Sequence, residues 1–176
     1  MIVALTGTPG TGKTTVAEEL GARGLRVIPM HDFLSENGLL GDFDADCDSY
    51  EVDIEAASDA ILPLLDSDET LIVEGHLSHL LPCDLIIVLR CNPRTIKERL
   101  QSRGYDDSKV LENIEAEALD VILVESLDTG RDVYEIDCSN LSVPELAGAI
   151  MRIIDGEGDK YLPGNIDWSE ELLRWC

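Results

Sequence analysis

The sequence predicts an α/β domain in which short apolar strands alternate with amphipathic helices. Two observations carry this prediction: short apolar runs recur along the chain, and segments with helical spacing of apolar residues lie between them. The first run contains no charge, which is typical of a strand buried on both faces. A chain of 176 residues is long enough for one such domain with a substantial core. The runs span residues 2–5, 25–28, 70–74, 85–89 and 133–136.

A complete phosphate-loop motif follows the first apolar run. The segment Gly7-Thr8-Pro9-Gly10-Thr11-Gly12-Lys13-Thr14 matches G-x-x-x-x-G-K-[ST] at every fixed position, and a helical pattern begins after it. The glycines let successive backbone N–H groups turn toward phosphate oxygens. The following helix adds partial positive charge at its N-terminus. An ordinary glycine-rich turn is the alternative, and the complete motif in its required context favours the phosphate loop.

The residue types in this loop indicate ATP and Mg²⁺ as ligands. Lys13 is expected to bridge the β- and γ-phosphates, and the Thr14 hydroxyl is expected to bind Mg²⁺. Because the backbone of the loop and the first turn of the helix surround the phosphates, several residues share the task. We assign nucleotide binding to Gly10, Gly12, Lys13, Thr14 and Thr15.

A carboxylate and two histidines follow the third apolar run. An acid at the end of a buried strand commonly orders the water shell of Mg²⁺ in phosphate-loop folds, so Glu74 is a predicted metal residue. A solvent-facing Glu74 is the alternative. We weigh a catalytic role for His76, which would position a water molecule, equally against a structural role. For His79 the structural role is favoured.

Two arginines lie four residues apart in a predicted helix that begins at Pro93. Arg99 and Arg103 therefore share one helical face, and we predict that they close over the transferring phosphoryl group. Pairing with Glu98 or with other acids is the alternative. In a chain with so few positive charges, arginines indicate an anionic ligand.

The chain is strongly acidic, with a formal net charge of −23 from 36 acidic and 13 basic residues. This charge argues against a broad nucleic-acid-binding face, which needs a basic patch, and against binding to anionic membranes. The favoured explanation is solvation of the surface, notably in a salty cytoplasm. Recruitment of a basic protein partner is the alternative.

Two features of the sequence favour the cytoplasm. No apolar run is long enough to cross a bilayer, and no basic n-region of a signal peptide precedes the phosphate loop. The five cysteines are scattered and form no C-x-x-C pair, which argues against a disulfide framework or a zinc site. A reducing compartment is therefore expected.

Three segments between the strands are assigned from pattern alone. Residues 31–50 are acidic and predicted to be loop-rich. Asp53 is predicted to cap a helix that runs to about residue 65 and contains Pro63 near its end. Residues 108 to about 127 are predicted to form one long helix.

The C-terminal end of the chain is predicted to stand apart from the domain. Residues 156–159 have the composition of a linker, and the tail after them carries both tryptophans, Trp168 and Trp175. These side chains anchor the tail to the domain, or they dock a partner or a second copy. The predicted division is a domain over residues 1–155 and a linker with tail over 156–176.

Five stretches, taken with the order of the elements, carry a family resemblance. They are residues 7–15, 75–79, 99–105, 112–117 and 166–169. The chain resembles the nucleoside monophosphate kinases, and more closely the archaeal and nuclear adenylate kinase family that also acts as an ATPase in small-ribosomal-subunit maturation. The resemblance covers nearly the whole chain. The phosphate loop is shared by many families, whereas the other four stretches are specific.

The resemblance implies a phosphate-loop NTPase core of five parallel strands, a monophosphate-binding segment at about residues 31–65 and a short lid at about residues 103–109. It implies that ATP and AMP are converted to two ADP, that ATP is hydrolysed, and that a small-subunit ribosomal protein is bound. Ribosomal proteins are typically basic, which suits the acidic chain. The residues that take these roles here are Lys13, His76, Arg99 and Arg103 in catalysis, and Thr14 and Glu74 at Mg²⁺.

Two departures from the family pattern bear on the activity. The family's Asp-x-His motif is Glu74-Gly75-His76 here, which lengthens the reach to the metal's water shell by one methylene. Residues 31–51 contain no arginine or lysine, although many adenylate kinases bind the AMP phosphate with an arginine there. Arg90 is the candidate substitute. The second departure favours ATP hydrolysis, and a kinase for another small metabolite is the remaining alternative.

Overall fold

The sheet has five parallel strands, which confirms the predicted α/β fold. A computed structural model describes residues 1–44, 49–64 and 69–172. Within these ranges the strands are β1 (Ile2–Thr6), β2 (Arg26–Pro29), β3 (Leu40–Asp44), β4 (Ser49–Val52), β5 (Leu71–Glu74), β6 (Leu85–Arg90) and β7 (Asp132–Asp137). The order in the large sheet is β2-β5-β1-β6-β7, with every pairing parallel. β3 and β4 form a separate antiparallel hairpin.

Helices cover both faces of the large sheet. In the described part of the chain they are α1 (Lys13–Ala22), α2 (Met30–Glu36), α3 (Ile54–Ile61), α4 (Pro93–Ser102), α5 (Asp107–Ala118), α6 (Val121–Asp128), α7 (Val143–Ile154) and α8 (Ser169–Leu172). The predicted cap of α3 is confirmed, because the Asp53 carboxylate accepts from the Ala56 N–H at 3.0 Å. No helix among these described elements is long and apolar enough to cross a membrane.

The core occupies both faces of the sheet because successive residues of a strand point to opposite sides. Leu5 of β1 packs with Leu20 of α1 and Ile150 of α7 on one face. Its neighbour Ala4 packs with Leu123 of α6 on the other. All residues of β1, β5 and β6 are buried. This double-sided burial explains why these strands are continuous apolar runs rather than alternating ones.

The prediction that residues 31–50 are loop-rich is wrong. α2 forms here because Met30 and Leu34, one helical turn apart, are both buried against the core. The hairpin pairs Leu40 with Val52, and residues 45–48 of its connection lie outside the described residues. Short elements of this kind depend on tertiary packing, so their own periodicity was too brief to predict them.

The helix predicted for residues 108–127 is two helices. α5 ends at Ala118, and Asp120 adopts a left-handed conformation with φ of 58° before α6 begins. Asp120 is among the residue types that tolerate this conformation, and its carboxylate accepts a hydrogen bond from Arg90. In the same way, α3 ends at Ile61, and Pro63 lies in a 3₁₀ turn after it.

The C-terminal tail is attached to the domain at several points. Gly164 and Asn165 donate their backbone N–H groups to one oxygen of Glu135 in β7, each at 2.8 Å. Arg94 of α4 donates to Glu171 of α8 at 2.8 Å. Trp168 lies between these two contacts along the chain, whereas Trp175 lies outside the described residues. Of the two alternatives left open for the tail, attachment to the domain is supported, although these contacts are made by Gly164, Asn165 and Glu171 rather than by a tryptophan.

Two glycines are expected to respond oppositely to alanine. A Cβ on Gly7, whose φ is +141°, would stand 2.4 Å from the carbonyl oxygen of Leu89, so Gly7→Ala should lower the free energy of unfolding by about 2 kcal/mol or more. A Cβ on Gly148, inside α7, meets no atom within 4 Å, so Gly148→Ala should raise it by about 0.5–1 kcal/mol. Thermal or urea unfolding measures both. Equal midpoints for the two variants would contradict the description of β1 and its loop.

Candidate active site

A cleft of about 890 Å³ opens at the carboxyl ends of β1 and β5. The phosphate loop forms its floor, α2 and the β3–β4 hairpin form one wall, and α5 forms the other. Ligands of open α/β sheets bind in the crevice outside the carboxyl ends of the strands, so the cleft lies where the fold predicts a site. Lys13, Thr14, Thr15, Glu74, His76 and Arg103 all line it, as do Gly10 and Gly12.

The phosphate loop is held in shape by its own backbone and side chains. Gly10 and Gly12 have positive φ angles of 94° and 102°, which other residues rarely adopt. The Thr11 hydroxyl and backbone N–H both donate to the Thr8 carbonyl oxygen, at 2.9 and 3.2 Å. α1 begins immediately after Gly12, so its first N–H groups face the same space. This arrangement suits an anion such as a polyphosphate.

Lys13 reaches back over the loop that contains it. Its Nζ donates to the carbonyl oxygens of Gly7 and Thr8 at 2.7 and 3.1 Å. Burial lowers the pKa of Lys13 from 10.5 to about 8, although the nearby carboxylates of Glu74 and Glu117 oppose the shift. A bound phosphate would add further negative charge beside the ammonium group. A bound phosphate would therefore stabilise the charged form of Lys13.

Thr14 and Glu74 bring together the two oxygen donors predicted for Mg²⁺. The Thr14 hydroxyl donates to Glu74 Oε1 at 3.4 Å. Burial raises the pKa of Glu74, and the charge of Lys13 partly offsets the rise. Mg²⁺ in nucleotide sites keeps several waters and takes only one or two protein oxygens besides the phosphates. The pair fits that requirement, and the longer side chain of Glu74 does not prevent it from reaching Thr14.

His76 and His79 have different surroundings. The ring of His76 lies in the cleft, where desolvation first and the charge of Lys13 second lower its pKa from 6.5 to about 4. His76 as a whole residue is exposed, so the cleft desolvates only part of its ring; the imidazole is neutral near pH 7, and one ring nitrogen accepts a hydrogen bond. His79 is fully buried between the Thr6 hydroxyl, at 3.2 Å, and Glu125, at 3.1 Å. These contacts agree with the structural role favoured for His79.

The two predicted clamp arginines do not occupy the same place. Arg99 donates to the carbonyl oxygens of Gly10 and Thr11 at 2.9 and 3.3 Å, so it supports the loop from outside the cleft. Arg103 is exposed and lines both the cleft and a smaller cavity of about 230 Å³ beside the loop. In this conformation Arg103 alone of the pair lines the cleft. Joint closure over a phosphoryl group stays a prediction.

Arg90 does not substitute for the missing AMP arginine. It is 1% exposed, at the end of β6, and it donates to Glu117 at 2.9 Å and to Glu135 at 3.4 Å, as well as to Asp120. Burial opposes the charge of Arg90, but these carboxylates, Glu117 first, raise its pKa. The guanidinium is therefore committed to the interior. Arg90 ends a continuous apolar strand, which favours burial, but its partners lie too far along the chain for the sequence to show the pairing.

Sequence reasoning also missed the residues that form the far part of the cleft. Met30 and Leu34 of α2 and Tyr50 of the hairpin line it. The resemblance implied a monophosphate-binding segment at about residues 31–65, but none of these three residues was singled out, because α2 and the hairpin were not predicted. Lys109 in the first turn of α5 lines the opposite wall and pairs with Glu112 at 3.0 Å. Lys109 ends the short lid implied at about residues 103–109, and Glu112 begins the stretch 112–117, although neither was assigned a role of its own.

Affinity for ATP is expected to weaken as the pH rises above about 8. In the free protein Lys13 loses its proton near that pH, whereas bound phosphates favour the charged ammonium, so binding must take up a proton. Each further pH unit should weaken binding by up to about tenfold. Titrations of ATP between about pH 7 and 9.5 measure this, with Lys13→Arg as the control, since a guanidinium stays charged. A pH-independent wild-type affinity would contradict the assignment.

Comparison with known proteins agrees with this geometry. Residues 3–120 match the family model described as AAA domain. A protein named "Putative adenylate kinase" from Archaeoglobus fulgidus is 46% identical over 175 residues, which covers 98% of this chain and 94% of that protein. A protein of the same name from Methanocaldococcus jannaschii is 45% identical over 176 residues, with 99% and 97% covered.

Solved structures of lower identity share the fold. A gluconokinase from Sinorhizobium meliloti has a TM-score of 0.53 at 17% identity, over 90% of this chain and 93% of that chain. A deoxyadenosine kinase from M. mycoides has a TM-score of 0.55 at 15% identity, over 89% and 100%. The fold is thus that of phosphate-loop kinases. Given relatives so similar along its whole length, the chain belongs to the archaeal adenylate kinase family of phosphate-loop proteins.

Proposed function

We propose that the protein is an adenylate kinase that transfers the γ-phosphoryl group of ATP to AMP and so produces two ADP. The observation that carries the proposal is the continuous cleft, which joins the phosphate loop to a second, largely apolar compartment. A phosphotransferase for a nucleoside monophosphate needs two such sites joined at the phosphates. The archaeal relatives that share 45–46% identity carry the name of this activity.

The donor nucleotide is proposed to extend from the loop into the smaller cavity beside it. That cavity is lined on one side by Gly10 and Gly12 of the loop and on another by Leu141 and Val143, with Arg103 at its edge. An apolar wall suits the faces of a purine ring, and a guanidinium stacks well on such a ring. With the base there, the phosphates lie across the loop and the γ-phosphate points into the large cleft.

The acceptor is proposed to lie in the compartment formed by α2 and the hairpin. Met30, Leu34 and Tyr50 line this end of the cleft, and His31 stands 6.2 Å from Tyr50 between ring centroids. Apolar and aromatic side chains of this kind hold a nucleoside with a few polar groups for orientation. The compartment is too apolar to hold the phosphate by itself, so the charge must come from the other wall.

Lys109 and Arg103 supply positive charge on that opposite wall. Both line the cleft, whereas residues 31–51 contain no arginine or lysine. Lys109 lies close enough to His76 to contribute to the low pKa of the histidine. The AMP phosphate is therefore proposed to sit between His76 and Lys109. A cation from α5 would take the part that an arginine of the monophosphate-binding segment takes in many adenylate kinases.

In the proposed reaction the protein positions charge and excludes water. Lys13 and the loop N–H groups hold the β- and γ-phosphates, and Arg103 closes on the transferring group. Mg²⁺, held through Thr14 and Glu74, would neutralise phosphate charge. Phosphoryl transfer requires little covalent participation from the protein, so alignment of the two nucleotides is the main task.

Hydrolysis of ATP is proposed to use the same site without an acceptor. The neutral imidazole of His76 can accept a hydrogen bond from a water molecule in the cleft and orient it toward the γ-phosphate. AMP needs no such help, since the acceptor pocket fixes its phosphate. The two activities therefore differ in what they require of His76.

Turnover of ATP is expected to rise strongly when AMP is added, and less with other acceptors. The assay compares ADP formation with no acceptor, with AMP, with other nucleoside monophosphates, with deoxyadenosine and with gluconate. Lys13→Ala is the control and should lose at least about a hundredfold in turnover, because it removes the cation at the phosphates. If another acceptor supports faster transfer than AMP, the adenylate kinase proposal is wrong. Near-normal turnover by Lys13→Ala would overturn the site itself.

A role in maturation of the small ribosomal subunit is proposed as the second function. The support is the net charge of −23 together with the use of several of the few cations, among them Arg90, Arg99 and Lys13, inside the fold or at the cleft. Opposite net charges speed association, and salt screens the attraction, with a Debye length of about 8 Å at physiological ionic strength. We propose the acidic segment of residues 42–48, which contains four aspartates, as the contact; residues 45–48 of it lie outside the described residues.

Binding to a basic small-subunit ribosomal protein is expected to be fast at low salt and to slow as salt is added. Association rates with purified small-subunit proteins, measured across a salt series with and without ATP, check this. Thermal unfolding of the isolated protein across the same series provides the comparison. Stability that improves with salt, together with no binding at low salt, would favour adaptation to a salty cytoplasm instead.

A further inference from the structure

A buried carboxylate lies directly beneath the phosphate loop. Glu117, near the end of α5, is 2% exposed. Its Oε2 accepts from the Thr8 hydroxyl at 2.6 Å, and its Oε1 accepts from Arg90 Nε at 2.9 Å and from the Cys91 N–H at 3.0 Å. One side chain therefore joins the loop, the end of β6 and α5.

The position of this charge requires an explanation. A carboxylate under a loop that binds polyphosphate repels the ligand, and burial of an unpaired charge is costly. Arg90 removes both difficulties, since its guanidinium lies against Glu117 and is itself only 1% exposed. The ion pair with Arg90 also makes the hydrogen bond between Arg90 and Glu117 a strong, charge-assisted one.

Thr8 is the point at which Glu117 reaches the loop. Its side chain is held from below by Glu117, and its carbonyl oxygen accepts from Lys13 Nζ at 3.1 Å and from the Thr11 hydroxyl at 2.9 Å. Thr8 itself is 2% exposed. Because both the hydroxyl and the carbonyl oxygen of Thr8 are held, the peptide units next to Thr8 are fixed in one orientation. This orientation sets the direction of the neighbouring N–H groups of the loop.

We infer that Glu117 is a positioning residue for the phosphate loop: through the Thr8 hydroxyl it fixes the loop conformation that receives the phosphates, with Arg90 as its counter-ion. Glu117 does not touch the nucleotide. The inference rests on the proposed function only in taking a nucleotide phosphate as the loop's ligand. The buried Arg90–Glu117 pair then contributes to phosphate binding, whereas a purely structural contact between α5 and the sheet would contribute only to stability.

The test compares Thr8→Val, which is nearly isosteric and lacks the hydroxyl, with Thr8→Ser, which keeps it. Binding of Mg²⁺-ATP raises the unfolding midpoint by an amount set by its affinity, so each variant is measured with and without nucleotide. Thr8→Val should lose about ten- to a hundredfold in ATP affinity and in kcat/KM for ATP, and Thr8→Ser should recover most of the loss. A merely structural contact would lower the midpoints with and without nucleotide equally.

Two further variants show whether Glu117 acts through Thr8. Glu117→Gln removes the charge and weakens the contact with Thr8, so the two changes share this contact and the loss of ATP affinity in the double variant Thr8→Val/Glu117→Gln should be smaller than the sum of the single losses. Thr129→Val removes a comparable hydroxyl, which donates to Ser126 at 2.7 Å outside the loop, and should leave ATP affinity unchanged. If Glu117→Gln does not fold, the Thr8 pair and its control still decide the question.

The outcomes are separable. If ATP does not shift the midpoint of the wild-type protein, the proposed nucleotide function fails, and this role fails with it. If the wild-type protein shifts and Thr8→Val shifts equally, the role of Glu117 alone is overturned. Failure of Thr8→Ser to recover affinity, or additive losses in the double variant, would also overturn it.

Discussion

The ion pairs of the buried Arg90 guanidinium are the interaction on which the rest of the structure depends. It lies where β6 ends and meets carboxylates from α5, from the α5–α6 junction and from β7. Because a buried ion pair broken on one side costs about 3–5 kcal/mol, these elements cannot move apart independently. The same cluster explains why α5 and α6 are two helices and why Asp120 holds a left-handed conformation between them. The charge of Arg90 therefore joins β6, α5, the α5–α6 junction and β7 next to the cleft.

Part of the positive charge near the site serves the protein rather than a ligand. Arg90 is paired with carboxylates, and Arg99 is bonded to the loop carbonyls, so each holds the backbone that surrounds the phosphates. Lys13, Arg103 and Lys109 are the cations that line the cleft within the described residues. In a chain of net charge −23, a few cations are sufficient for an anionic ligand, since the low dielectric inside a cleft strengthens their attraction to it.

The sequence predicts those parts of the fold whose signals are local. A continuous apolar strand, a complete glycine motif and a capping aspartate at position 53 each constrain their own segment, and the structure has them where expected. The hairpin and α2 were missed because they are stabilised by packing against distant residues. Arg90 was assigned to the ligand because its partners lie 27–45 positions away in the chain, where no local pattern connects them. The phosphate loop was thus predictable from its local motif, whereas the residues that support it were not.

The contact between Glu135 and the tail changes what counts as the folding unit. One oxygen of this carboxylate meets Arg90, and the other accepts two N–H groups from Gly164 and Asn165. A chain ending at residue 155 would lose both donors to that oxygen, beside the ion cluster that supports the loop. Hydrogen bonds to a charged group contribute about 1.5–3 kcal/mol each. The composition of residues 156–159 resembles a linker, but the tail after them supplies hydrogen bonds to a buried carboxylate. Because that carboxylate also contacts Arg90, shortening the chain would weaken the ion cluster beneath the phosphate loop.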